Sequence, residues 1–108
     1  MISEREFLAQ IIQLAHLYGW TCAHFRSIQK ADGGYITPVQ ADGAGFPDLV
    51  LVRERIIFAE LKSDKGKLSD AQREWFSALG KAGQEAYCWR PYDWNGIVEI
   101  LTLTRPIR

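Results

Sequence analysis

The sequence predicts a mixed α/β domain with elements in the order αβββαβ, followed by a terminal strand. Three observations lead there. Two apolar runs, Leu49-Val50-Leu51-Val52 and Ile56-Ile57-Phe58-Ala59, are parted only by Arg53-Glu54-Arg55, the pattern of a β-hairpin. Two other segments, Ser3-Glu4-Arg5-Glu6 and Ser69-Asp70-Ala71-Gln72, carry the capping-box spacing that opens helices. The 108 residues suit one domain over positions 1–108, large enough for a core without disulfide or metal staples.

The first helix begins at Ser3, with Ile2 and Phe7 placed as a hydrophobic staple across its first turn. Phe7, Leu8, Ile11, Ile12, Leu14, Ala15 and Tyr18 keep a broad apolar face, and Gly19 supplies the C-terminal stop. Trp20 to Ile28 alternates loosely and reads as the first strand. Residues 29–45 hold Asp32-Gly33-Gly34, Pro38 and Asp42-Gly43 and read as a long loop, a length that in a small domain signals function or mobility. The hairpin follows. Gly66 and Lys67 lead into a second helix from Ser69 to about Gly83, and Glu85 to Arg90 and Ile97 to Leu103 read as the closing strands.

Composition sets outer bounds. An apolar fraction of 47% with four Trp, five Phe and four Tyr marks a globular chain. Thirteen basic residues balance thirteen acidic ones, so no global attraction to polyanions exists, although a local positive face remains open. Cys22 and Cys88 stand in separate predicted strands, as reduced core residues of an intracellular, cytoplasmic protein would. No run approaches the length of a membrane span, and the N-terminus lacks a signal-peptide pattern.

The hairpin concentrates the chemistry. With Glu54 as its centre, position 52 faces 56, 50 faces 58 and 48 faces 60, which sets Asp48 beside Glu60 at the open end. Lys62 projects from the same face, because strand side chains alternate. Flanked by apolar runs on both strands, these charges are costly unless something uses them. A hard divalent cation, Mg²⁺ or Mn²⁺, suits such carboxylates and keeps water and substrate phosphate among its ligands. It could acidify a bound water, while Lys62 orients or deprotonates that water or stabilises the phosphorane-like transition state. The bland reading is a solvated charge cluster on a surface hairpin.

Pro47-Asp48 followed by Glu60-Leu61-Lys62 resembles the PD-(D/E)xK nuclease signature. Gly45-Phe46-Pro47-Asp48-Leu49-Val50, Ala59-Glu60-Leu61-Lys62, Ser69 to Gln72 with Trp75, and Trp89-Arg90-Pro91 together resemble the small stand-alone VRR-NUC domains of phage and bacterial genomes. The resemblance runs from about Ser3 to Leu101. It implies a restriction-endonuclease-like core, a mixed central sheet flanked by helices, and metal-dependent hydrolysis of DNA by an endonuclease. It also implies metal ligation by Asp48, Glu60 and the Leu61 carbonyl, with Lys62 as the catalytic lysine. Related folds place a third acid on the first helix. Glu4 fits that role, with Glu6 the weaker candidate because it already serves the capping box. Leu8 departs from the polar residue expected in similar domains, while Gln10 is kept. Gln72 resembles a glutamine held near the active site, although the same residue also suits N-terminal capping.

Lys65, Lys67, Arg26 and His24 are candidate DNA contacts, each with an ordinary surface or structural role as the competing reading, and Tyr35 or Lys30 in the long loop could select substrate. Trp75 and Phe76 are expected to pack the second helix on the sheet, and Trp89 to pack in the core. No GxxxxGK[ST] loop, HExxH motif or paired CxxC is present. The resemblance further implies branched DNA, particularly four-way (Holliday) junctions, as substrate and a homodimer as the cutting unit. Two alternatives stay open: a non-catalytic nucleic-acid-binding or assembly module, and a nuclease that works only inside a larger phage replication or restriction complex.

Overall fold

A four-stranded mixed sheet flanked by helices forms the centre of the computed structural model, which describes residues 2–25, 28–36 and 38–104. Helix α1 (Glu4–Leu17) starts at Ser3, whose hydroxyl accepts the Glu6 amide, and ends before Gly19, which takes φ +85°. Strand β1 (Thr21–His24) follows, then the two-residue strands β2 (Ile28–Gln29) and β3 (Tyr35–Ile36), which pair with each other. The hairpin comprises β4 (Leu49–Val52) and β5 (Ile56–Leu61). Helix α2 (Asp70–Lys81) leads into β6 (Glu85–Trp89), and a 3₁₀ turn (Pro91–Asp93) opens α3 (Trp94–Thr102).

The sheet order is β1-β4-β5-β6, antiparallel across the first three strands and parallel between β5 and β6. Leu49 faces Ala59, Val50 faces Phe58 and Val52 faces Ile56, the register expected from a hairpin centred on Glu54. One sheet face carries Leu49, Leu51, Ile57, Ala59, Leu61 and Trp89, all buried against Phe7, Ile11 and Ala15 of α1 and Ile97 and Leu101 of α3. The other face, with Val50, Phe58, Glu60 and Cys88, lies on the side of α2, none of whose residues is fully buried. Both cysteines are free thiols, half-buried. Among the described residues no helix is long and apolar enough to cross a membrane.

Three expectations need correction. Ile97 to Leu103 is not a strand: residues 94–102 form α3, and Ile97 and Leu101, four apart, reach the core together. The β-branched content favours a strand locally, but burial of a helical stripe prevails. The first strand stops at His24 rather than Ile28. The Phe25 amide still reaches the Asp48 carbonyl at 2.8 Å, and residues 26 and 27 lie outside the described residues. The long loop is not wholly irregular either, since Tyr35–Ile36 pairs back on Ile28–Gln29.

Candidate active site

Asp48 immediately precedes β4 and Glu60 sits next to the end of β5, so the fixed register brings the two acids together. The Asp48 amide donates to Glu60 Oε1 at 3.3 Å. Lys62 follows on the same face, with Nζ 3.8 Å from Glu60 Oε2. From the other side Gln72 Nε2 donates to Glu60 Oε2 at 3.1 Å. Gln72 can reach because the α2 N-terminus is held close. Gly45, at φ +84°, packs so tightly on Ala71 and Gln72 that a Cβ there would lie 2.5 Å from the Ala71 carbonyl carbon. Phe46 then anchors the segment, its ring edge-to-face with Phe25, Phe58 and Trp75 at 5.0–5.9 Å between centroids. The Trp75 indole N–H donates to the Asp42 and Ala44 carbonyls, tying the preceding loop to α2.

The carboxylates are crowded. Glu60 is 2% exposed, and its carboxyl is pushed up to about 8, first by burial and then by the hydrogen bond and negative charge of Asp48. Lys62 and the Asp48 amide oppose that shift without cancelling it. Glu4, from the first turn of α1, lines the same cavity of about 700 Å³. Partial burial raises its carboxyl, with Lys62 lowering it and Asp48 raising it further.

Among the described residues no three His, Cys, Asp or Glu side chains cluster tightly enough to hold a metal by themselves. The arrangement nonetheless fits a hard divalent cation, which usually takes one or two carboxylates and completes its shell with water and phosphate oxygen. Two adjacent carboxylates, one of them too buried to ionise readily, are the donors such a cation stabilises. The Leu61 side chain is buried in the core, so any part it plays is through its main-chain carbonyl.

The other sequence candidates are not gathered here. Lys65 and Lys67 are exposed on the turn after β5 and do not line the cavity. His24 pairs with Leu49 and shares its face, the side of the sheet away from Asp48 and Glu60. Arg26 lies outside the described residues. Glu6 is exposed and bonded to the Ser3 hydroxyl, away from the cavity. Trp89 is buried and stacks on Tyr87.

Two groups escape sequence reasoning. Phe25, Ile36 and Val39 form an apolar wall of the cavity. Arg90 donates to the Ser63 and Gly66 carbonyls at 2.7 and 2.5 Å, and Asp64 accepts the Tyr92 amide, so the Trp89-Arg90-Pro91 segment clamps the turn that carries Lys65. The motif was visible, but its target is not coded by spacing.

The model of the VRR-NUC domain family matches residues 6–90. No curated protein and no solved structure matches the chain.

Proposed function

Since the chain belongs to the VRR-NUC domain family, and so is a nuclease of the PD-(D/E)xK type, we propose that it is a divalent-metal-dependent endonuclease acting on branched DNA. The observation that carries the reading is the meeting of Asp48, Glu60 and Lys62 at one hairpin end, with Gln72 bonded to Glu60. Asp48, Glu60 and the Leu61 carbonyl would hold Mg²⁺ or Mn²⁺, which when bound supplies an acidified water and charge neutralisation at the phosphate. The Asp48 amide and the Gln72 side chain each fix one Glu60 oxygen, so that carboxylate is oriented before substrate arrives. Lys62, within 4 Å of the same carboxylate, positions or deprotonates the attacking water and faces the negative charge that builds on phosphorus. Glu4, in the lining of the same cavity and within electrostatic reach of Lys62 and Asp48, serves as an auxiliary acid.

The decisive assay is strand cleavage by pure protein on four-way junction, flap, single-stranded and linear duplex DNA, with Mg²⁺, Mn²⁺ or EDTA. Paired cuts confined to branched substrates, absent in EDTA and reduced at least about a hundredfold by Lys62→Ala or Asp48→Asn, are expected. Metal-dependent cleavage unchanged in both variants would sink the assignment. Paired cuts on symmetric strands further call for a homodimer with two cavities about a twofold axis. Light scattering that finds only monomer, with and without junction DNA, would remove that part.

A further inference from the structure

We propose that Phe25, Ile36 and Val39 form a seat for an unstacked nucleobase beside the scissile phosphate, so that branched DNA with an unpaired nucleotide at the branch is preferred. The proposal rests on the nuclease reading of the same cavity. That cavity has two unlike kinds of lining. Asp48, Glu60, Lys62 and Gln72 make up its charged and polar lining, and Phe25, Ile36, Val39 and Phe46 its apolar lining. The three wall residues are 42%, 53% and 48% exposed, so large apolar surface faces solvent within the compartment that holds the acids.

Phe25 is fixed relative to the acids. The Phe25 amide donates to the Asp48 carbonyl at 2.8 Å, and its ring meets Phe46 at 5.6 Å between centroids. An occupant that uses both kinds of lining presents a flat apolar surface and a phosphate to one cavity, as a single nucleotide does. A base stacked in a duplex has no free face to offer, whereas an unpaired one does. A volume of about 700 Å³ lies in the range of pre-formed ligand sites. Charge balance points the same way. With thirteen basic and thirteen acidic residues, phosphate attraction is not reinforced by the chain as a whole, and base contact supplies affinity that electrostatics does not.

The test compares a forked DNA carrying an unpaired thymidine tract with the same fork whose tract is abasic, so that phosphate charge is kept and bases are removed. Binding is followed by fluorescence anisotropy in EDTA, and cleavage in Mg²⁺. The wild type should bind the abasic fork about tenfold more weakly. Phe25→Ala, and the exposed-site pair Ile36→Ser with Val39→Ser, should bind both forks alike. Val52→Ser, equally exposed at the far end of the sheet, should keep the wild-type discrimination. Equal binding of both forks by the wild type overturns the base seat, as does full discrimination in both wall variants. Cleavage without base discrimination would discard the seat and leave the nuclease. Base discrimination that vanishes in the wall variants, with no cleavage in any metal, would uphold the seat and discard the nuclease.

Discussion

At Gln72 one amide group serves both the helix and the cavity. Its Oε1 accepts the Ser69 amide at 2.8 Å in the capping box, which turns its Nε2 toward Glu60. Substitution by glutamate separates the two roles, because a carboxylate can still accept from Ser69 but cannot donate to Glu60. Gln72→Glu is expected to keep the Ser69 cap but to set a third carboxyl against Glu60, so that its melting temperature falls more at pH 8 than at pH 5 and single-turnover cleavage falls at least about tenfold. Unchanged cleavage with an unchanged melting curve would show that the Gln72 contact to Glu60 is incidental. Glu60 yields a second expectation. It holds its proton more tightly in the folded protein than at its ordinary value of 4.5. The stability this confers is complete below about 4.5 and is lost as pH rises through about 8. In EDTA, melting temperature should therefore decline more steeply between pH 5 and 8 for wild type than for Glu60→Gln. Parallel curves would show that the carboxyl titrates normally. Wild type alone should recover stability at pH 8 when Mg²⁺ is added.

Two elements are fastened in ways that invite mutation. Gly45 lets the segment before β4 pass against the first turn of α2, at a positive φ and with no room for a methyl group. Gly45→Ala should cost at least about 2 kcal/mol, seen as a melting temperature lower by roughly 10 °C. A change under about 2 °C would mean that the α2 N-terminus moves aside without penalty. The second fastening joins the hairpin turn to α3. Arg53 donates to the carbonyls of Tyr18, Leu101 and Leu103, and Arg55 to those of Ile100 and Leu103. Both guanidinium groups lie over the Trp20 ring, 4.6 and 5.0 Å from its centroid, and the Trp20 indole N–H donates to Leu101 as well. Carbonyls left open at a helix end thus find cationic donors. Arg55 also pairs with Glu85 at 2.7 Å. Arg55→Lys keeps the charge but loses the planar fork, so it should lower stability by about 2 kcal/mol in chemical denaturation. Stability equal to wild type would assign the capping to Arg53 alone.

Over the whole molecule, legibility follows the range of the interactions. The hairpin could be read because two runs of equal kind flank a three-residue turn, which fixes register and with it the meeting of Asp48, Glu60 and Lys62. Both helices with Ser-led caps were visible for the same local reason. The last helix was not, since Ile97, Val98 and Ile100 favour strand locally and Asn95-Gly96 interrupts a helical pattern; its stripe makes sense only against α1 and the sheet. Nor could spacing show that Phe25, Ile36 and Val39 line one cavity, or that Arg53 and Arg55 reach the end of α3. The family match begins at residue 6, so the placement of Glu4 rests on the fold alone. The turn Arg53–Arg55 has one more consequence, for how such a gene can change over generations. Surface turns ordinarily absorb insertions and deletions freely. Here one added or lost codon would slip β5 against β4 and carry Glu60 and Lys62 to the opposite side of the sheet, about 20 Å from the lesion. Lineages that keep the activity should therefore hold the length of this turn as strictly as Arg53 and Arg55 themselves.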